Sequence, residues 1–307
     1  MDLYILLLLP DFSQLQLLYH SAIALILSTA AFLLAPKTTV GGQPVSIFYH
    51  LFRLKNYKQL WLLWARYNVK VRYTQTVLGI TWIALIPLLT AIIMSFVFSQ
   101  FWSRADIGQV PFVCFFFSGF LVWNFFQNGV NRAMTSLSGY LQMLNQIYFP
   151  REVVLLVRLS EDLFDSMFAF MVAVLLNMVF GIFPGVHYIF LPLIFLILIG
   201  LVLGVGLFIS CLSIMVRDIP QLIGVVLRLL FYLTPVIYPL TIVSGKVRFF
   251  LLINPLTSLV VAFRDIVVYN RMPNFLNLAY PIVLAGILVY TGFSFFKSRE
   301  PVIVDYL

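Results

Sequence analysis

The chain has 307 residues, of which 62% are hydrophobic and only 10% charged, far from the roughly 25% charged residues of a soluble domain. Lipid must solvate most of its surface, so every backbone polar group needs an internal partner; no series of ~10-residue alternating strands is present, and the predicted fold class is all-α, a polytopic membrane protein. The net charge of +8 reads as positive-inside bias and contact with anionic membrane lipids, with no nucleic-acid partner.

Residues 1–50 form an amino-terminal extension with one apolar run, 15–34. Asp2 and Asp11 precede that run and no Lys or Arg does, so it lacks a signal peptide's basic n-region. An extra span, an interfacial helix and a start codon placed too early all fit it. The membrane domain, residues 51–299, opens with an amphipathic stretch at 55–73. Leu60, Leu63, Trp64, Tyr67 and Val71 share one helical face there, and Lys55, Lys58, Gln59, Arg66 and Lys70 share the other. Such a helix lies in the membrane interface, either as a simple anchor or as an anchor that also meets a partner.

A span needs ~20 apolar residues, and six are predicted, at 77–101, 112–134, 153–183, 188–215, 222–240 and 277–296. The loop after the second, residues 135–150, contains no charged residue. Leu137, Leu141, Leu144 and Tyr148 recur in it at helical spacing. A short amphipathic segment with an uncharged outer face marks a protein interface or packs into its own bundle. The third span opens with Arg151, Glu152, Arg158, Glu161, Asp162 and Asp165. Ionisable groups inside a span are functional suspects. Structural pairing is the favoured expectation here, with Arg158 against Asp162 four residues on. Glu161 and Asp165 are expected to meet Arg228 of the fifth span or an arginine of a second subunit.

In the fourth span Gly200, Gly204 and Gly206 predict close helix packing. After the fifth, residues 247–269 are broken by Asn254-Pro255. Two halves too short to span fit a re-entrant pair buried against protein. The aromatics Trp82, Phe101, Trp102, Trp123, Phe125 and Phe126 crowd segment ends and read mostly as an interfacial belt. Cys114 and Cys211 sit in apolar runs without metal or disulfide spacing.

Orientation follows from the basic residues. With the amphipathic arm and the carboxyl end in the cytoplasm, the inside holds Arg53, Lys55, Lys58, Arg66, Lys70, Arg72, Arg151, Arg217, Lys297 and Arg299. The outside then holds Arg104, Lys246, Arg248, Arg264 and Arg271, which is the positive-inside order. Residues 300–307 become a short cytoplasmic tail.

The chain has no G-x-x-x-x-G-K-[ST] loop; Gly245-Lys246 is followed by Val247. His20, His50 and His187 are scattered, so no H-E-x-x-H zinc site forms, and no serine sits in a G-x-S-x-G elbow. The chain is therefore expected to be no enzyme, with no metal or cofactor of its own.

The run from Arg72 to Trp82, Arg-Tyr-Thr-Gln-Thr-Val-Leu-Gly-Ile-Thr-Trp followed by Pro87-Leu88, resembles the lead into the first span of polysaccharide-exporting type-2 ABC permeases. These export O-antigen, capsule or teichoic acid. Tyr148-Phe149-Pro150-Arg151-Glu152 is similar to that family's sequence after its coupling loop. Val216-Arg217-Asp218-Ile219, Thr234-Pro235-Val236-Ile237-Tyr238-Pro239, and Asn254-Pro255-Leu256-Thr257 with Arg264 resemble its carboxyl-terminal signature. The pieces occur in the family's order and cover about residues 50–299.

The resemblance implies a homodimeric pore for a lipid-linked glycan in the bacterial cytoplasmic (inner) membrane. Two separate ABC ATPase subunits would hold ATP and Mg. It makes the 135–150 loop the coupling helix, with Leu137, Tyr140, Leu141, Leu144, Tyr148, Phe149, Pro150 and Arg151 as its contacts. It makes 55–73 the interface helix, carrying Trp61, Trp64, Arg66, Tyr67, Lys70, Arg72 and Tyr73. Thr234, Pro235, Tyr238, Pro239, Asn254, Pro255 and Arg264 fall at the outer mouth, and some aromatics would stack on sugar faces. A type-2 exporter of a small lipid or drug is the alternative, and Phe149-Pro150-Arg151 argues against it. An intramembrane glycan or lipid transferase would need clustered His, Asp or Glu facing a cavity, for which only Glu161, Asp162 and Asp165 offer themselves. A secondary transporter would show an inverted repeat, and none is visible.

Overall fold

The structure, a computed structural model, describes residues 54–74, 76–101, 107, 109–140 and 149–300, and the backbone of 39–40, 43–44 and 301–306. The apolar run 15–34, Arg53, Trp102, Arg104 and the loop residues Leu141, Leu144 and Tyr148 lie outside the described residues. Thr39–Val40 (β1) and Gln43–Pro44 (β2) pair antiparallel, Thr39 opposite Pro44. The rest is helical: α1 Lys58–Thr74, α2 Trp82–Phe98, α3 Phe112–Met134, α4 Glu152–Val179 and α5 Leu191–Met215. Then follow α6 Ile219–Tyr232, α7 Gly245–Ile253, α8 Pro255–Val267 and α9 Phe275–Tyr306.

Among the described residues, five helices are long and apolar enough to cross a membrane: Gly79–Phe98, Phe112–Met134, Glu152–Val179, Val186–Met215 and Phe275–Glu300. The protein is thus an all-α, multi-pass membrane protein. The fifth expected span differs. α6 has 14 residues, about 21 Å at 1.5 Å each, short of the ~30 Å hydrocarbon core. Pro235 and Pro239 stop it: neither offers an N–H, and each disfavours helix in the residue before it. The third span also ends early, at Val179. Gly181 takes φ +79, and the Ile182 and Gly181 amides bond back to the Asn177 and Met178 carbonyls at 2.9 and 3.0 Å, the Schellman pattern that glycine favours.

α3 is the hub. It packs against α2, α4, α5 and α8 and buries Phe115, Phe116, Phe117, Trp123, Phe125 and Phe126. The last three are therefore core residues, not the interfacial belt the sequence suggested, because α3 is covered on nearly every side. Trp82 and Phe101 do keep exposed surfaces. α2 is the opposite case, exposing Ile86, Ile93 and Phe96.

α5 lies between α3 and α9, and small residues set its distance from both. A methyl on Gly204 would stand 2.6 Å from Leu288 Cβ, and one on Gly206 would stand 2.8 Å from Ala133 Cβ. A methyl on Gly292 would meet the Gly204 carbonyl oxygen at 2.6 Å. The small-residue packing expected in the fourth span is present. Cys114 and Cys211 are buried free thiols. α7 and α8 meet at 93°, with the break at Asn254 as expected. Each is too short to cross alone, and α8 is buried along most of its length against α3, α5 and α9.

Candidate functional site

Two sites emerge, one where α1 meets the bundle and one around Arg264. α1 presents three faces. Trp64 and Ala65 are buried against the bundle, in a cluster with Leu137, Phe149, Val153, Val157 and Phe296. Leu63 and Tyr67 are 70% and 64% exposed, and Val71 is exposed beside them. Arg66 and Lys70 are exposed on the remaining face. The apolar side expected from the sequence is thus divided between the bundle and the exposed surface. Trp61 Nε1 donates to Ser160 Oγ at 2.6 Å, fixing α1 to α4.

Further along α1, Arg72 reaches two carboxylates of α4. It pairs with Glu161, and its Nη1 is 2.9 Å from Asp165 Oδ2. Tyr73 Oη donates to Asp165 Oδ1 at 3.2 Å. Arg132, near the end of α3, meets the same group: Nη2 is 2.5 Å from Asp165 Oδ2 and Nη1 is 3.0 Å from Asp162 Oδ1. Arg158 lies 3.3 Å from Glu161 Oε2 and 4.8 Å from the Tyr140 ring centre. Three guanidiniums thus face three carboxylates and the cluster is neutral. That balance lets Glu161 and Asp162 be 0% and 2% exposed, since buried charges persist only when paired. Asp162 is the least satisfied member. Arg132 faces it at ion-pair distance but at an angle that makes no hydrogen bond, so both its oxygens are buried without a donor.

This corrects two expectations. Arg158 pairs with Glu161 three residues on, because Arg132 of α3 occupies the space before Asp162. Arg228 does not reach Glu161 or Asp165; it is exposed on α6 and makes no ion pair among the described residues. Arg132 and Asn68 are the members sequence reasoning missed. Asn68 Nδ2 donates to Tyr140 Oη at 2.6 Å and Glu161 Oε1 at 2.8 Å, tying the loop after α3 to the cluster.

That loop is anchored at both ends. Leu137 is fully buried, and Phe149 packs edge-on against Trp64 with ring centres 5.8 Å apart. Tyr140 sits edge-on to Trp64 at 4.7 Å. Burial pushes its phenol above the ordinary value, against the pull of Arg158. Pro150 is half-buried. Arg151 Nη1 donates to the Glu300 carbonyl at 2.8 Å, and Lys297 bridges Glu152 at 2.5 Å and Glu300 at 2.9 Å. The start of α4 is thereby fastened to the end of α9.

Arg264 organises the second site. It is 3% exposed and pairs with carbonyls rather than a carboxylate. Nη1 donates to the Pro235 oxygen at 2.6 Å, Nη2 to Val236 at 2.7 Å and Nε to Phe115 at 3.1 Å. Its plane lies 3.7 Å from the Phe115 ring centre. Gly119 leaves room for it, since a methyl there would collide with the guanidinium. Asn254 Nδ2 donates to Thr234 Oγ1 at 2.8 Å while its Oδ1 caps α8 at the Leu256 amide, 3.0 Å away. Pro255 begins α8, where its missing N–H costs nothing. Pro239 is buried, and half-buried Tyr238 donates to the Tyr232 carbonyl at 3.0 Å. Non-helical backbone inside a membrane protein must have its polar groups satisfied by protein, and Arg264 and Asn254 do this for the segment after α6.

The chain is 27% identical over 249 residues to the O-antigen export system permease protein RfbA of Myxococcus xanthus, covering 80% of this chain and 95% of that one. It is 27% identical over 234 residues to the RfbA permease of Klebsiella pneumoniae, covering 76% and 89%. It is 20% identical over 234 residues to the polysialic acid transport protein KpsM of Escherichia coli, covering 76% and 90%. The family described as ABC-2 type transporter matches residues 58–268. That match runs from the first residue of α1 past the end of α8 and takes in the charge cluster and Arg264, so the chain belongs to the ABC-2 type transporter family.

Proposed function

We propose that this chain is the pore-forming permease of an ATP-driven exporter that moves a lipid-linked polysaccharide across the bacterial cytoplasmic membrane. Two copies form the pore, each docked to a separate ABC ATPase subunit that holds ATP and Mg. The names of its relatives support the cargo, since they are O-antigen export permeases and a polysialic acid transport protein. The observation that carries the mechanism is the neutral charge cluster. Arg72, Arg132, Arg158, Glu161, Asp162 and Asp165 join the interface helix, the end of α3 and the start of α4. A push on the loop or on α1 therefore reaches two membrane helices as one body.

In this reading ATP closes the partner ATPases, which move the loop around Leu141, Leu144 and Tyr148. Leu137 and Phe149 hold the loop's ends, and Arg66 and Lys70 face the ATPase or lipid head groups. The carboxyl end is cytoplasmic, and α7 and α8 form a re-entrant pair at the outer mouth. α6 supports a pore between copies. Only Leu227 of its 14 residues is buried, and Arg228 lies nine residues after Ile219, about 14 Å along. An arginine at that depth is expensive in lipid and is accommodated by a water-filled path. The test is purification. The chain alone should turn over no ATP, and co-expressed ATPase should copurify with it at one per permease. ATP turnover by the isolated chain, or failure to retain any ABC ATPase, overturns the reading.

A further inference from the structure

A crevice of about 320 Å³ opens beside the start of α1, between α4, α5 and α9. One end carries Lys55, Lys58 and Glu152; Phe293 follows, its ring 5.9 Å from Lys297 Nζ, and Leu203 and Val289 line the far end. Glu152 is held by Lys297 at 2.5 Å, and both lysines of the lining are exposed, so the mouth is net positive. Its apolar end is deep. Leu203 lies 215 − 203 = 12 residues before the end of α5, about 18 Å away. Val289 lies 300 − 289 = 11 residues before Glu300, about 16 Å away. Leu156, Leu203 and Val289 are half-buried, so the crevice opens on the outer surface of the bundle. Val289 lies eight residues before Lys297, which holds Glu152 at the mouth, about 12 Å, so the crevice reaches through most of one leaflet of the ~30 Å hydrocarbon core. At roughly the 30 Å³ of one water per methylene, it holds about ten carbons.

We propose that this crevice binds one acyl chain of an anionic phospholipid, with the headgroup phosphate at Lys58 and Lys55. A slot cationic at the interface end and apolar at the other, one leaflet deep, matches the shape and charge of that lipid class. The lipid pins α1 to α4 at the end remote from Arg72. Only the leaflet, the cytoplasmic one, rests on the orientation proposed above; the site itself stands whatever the cargo.

The probe is phosphatidylglycerol with a diazirine midway along one acyl chain, added in trace to the full-length permease in phosphatidylcholine nanodiscs. After illumination, mass spectrometry should find label around Leu203, Val289 and Phe293. Unlabelled phosphatidylglycerol should compete and phosphatidylcholine should not. Lys58→Gln should cut the labelling about fivefold, the weight of one lysine near an anionic surface. Val289→Trp should abolish it with an unchanged size-exclusion profile, and Leu203→Phe serves if that variant does not fold. Equal competition by both lipids, or full labelling of a folded filled-crevice variant, would mean an annular lipid only and overturn the proposal. Absence of label at the crevice in the wild-type chain also overturns it.

Discussion

Arg132 and Arg264 are both arginines held inside a membrane protein, and they are stabilised differently. Arg132 belongs to a balanced set of three cations and three anions. Arg264 is solvated by three carbonyl dipoles and a ring face. Removing one member of a buried charge set strands the others, typically at about 3–5 kcal/mol. Arg132→Ala should therefore sharply lower the melting temperature of detergent-extracted permease, and adding Asp162→Asn should recover part of the loss. An unchanged melting curve for the single variant would show that the cluster contributes nothing. Gly119→Ala makes a different prediction. Its methyl strikes the Arg264 guanidinium, so Gly119→Ala and Arg264→Ala should be non-additive in stability by more than about 0.5 kcal/mol, as residues in contact are. Additive losses would place Arg264 elsewhere.

The buried anchors of the loop after α3 and the residues between them should respond differently to charge. Leu137 is fully buried, so Leu137→Glu should deplete folded permease from the membrane. Leu144→Glu should leave the permease folded and abolish pull-down of the ATPase, since an unpaired charge in an apolar contact costs several kcal/mol. Loss of folded protein in both variants would mean that the whole loop packs into its own bundle. Helices were the legible elements. The second span is expected at 112–134 and α3 is Phe112–Met134, because Pro111 marks the start and the apolar residues of 112–126 continue at helical spacing through Val130 and Met134. α6 was less legible, since hydropathy continues through residues 233–240 while Pro235 and Pro239 end the helix. The charge cluster was half legible. Its carboxylates stand out in sequence, but Arg132 lies at the end of another helix, and nothing in linear spacing shows that it faces Asp162. Arg228, one of the two partners expected for Glu161 and Asp165, is exposed on a helix other than those that carry the cluster.

At the scale of the molecule, the well-covered α3 contrasts with the exposed α2 and α6, the pattern of a bundle whose outer helices meet lipid or another copy. The orientation can be checked by thiol labelling of intact cells. A cysteine at Lys246 should react with an impermeant reagent and one at Arg299 should not; reaction at both would show that α7 and α8 together make a crossing. The most direct test of the account is the fate of the cargo in the native bacterium when this chain is deleted. Surface polysaccharide should disappear and its lipid-linked precursor should accumulate inside the cell. The wild-type chain should restore export, and restoration should fail when the partner ATPase lacks its phosphate-binding lysine. Normal surface polysaccharide in the deletion strain, with no precursor retained, would contradict the account.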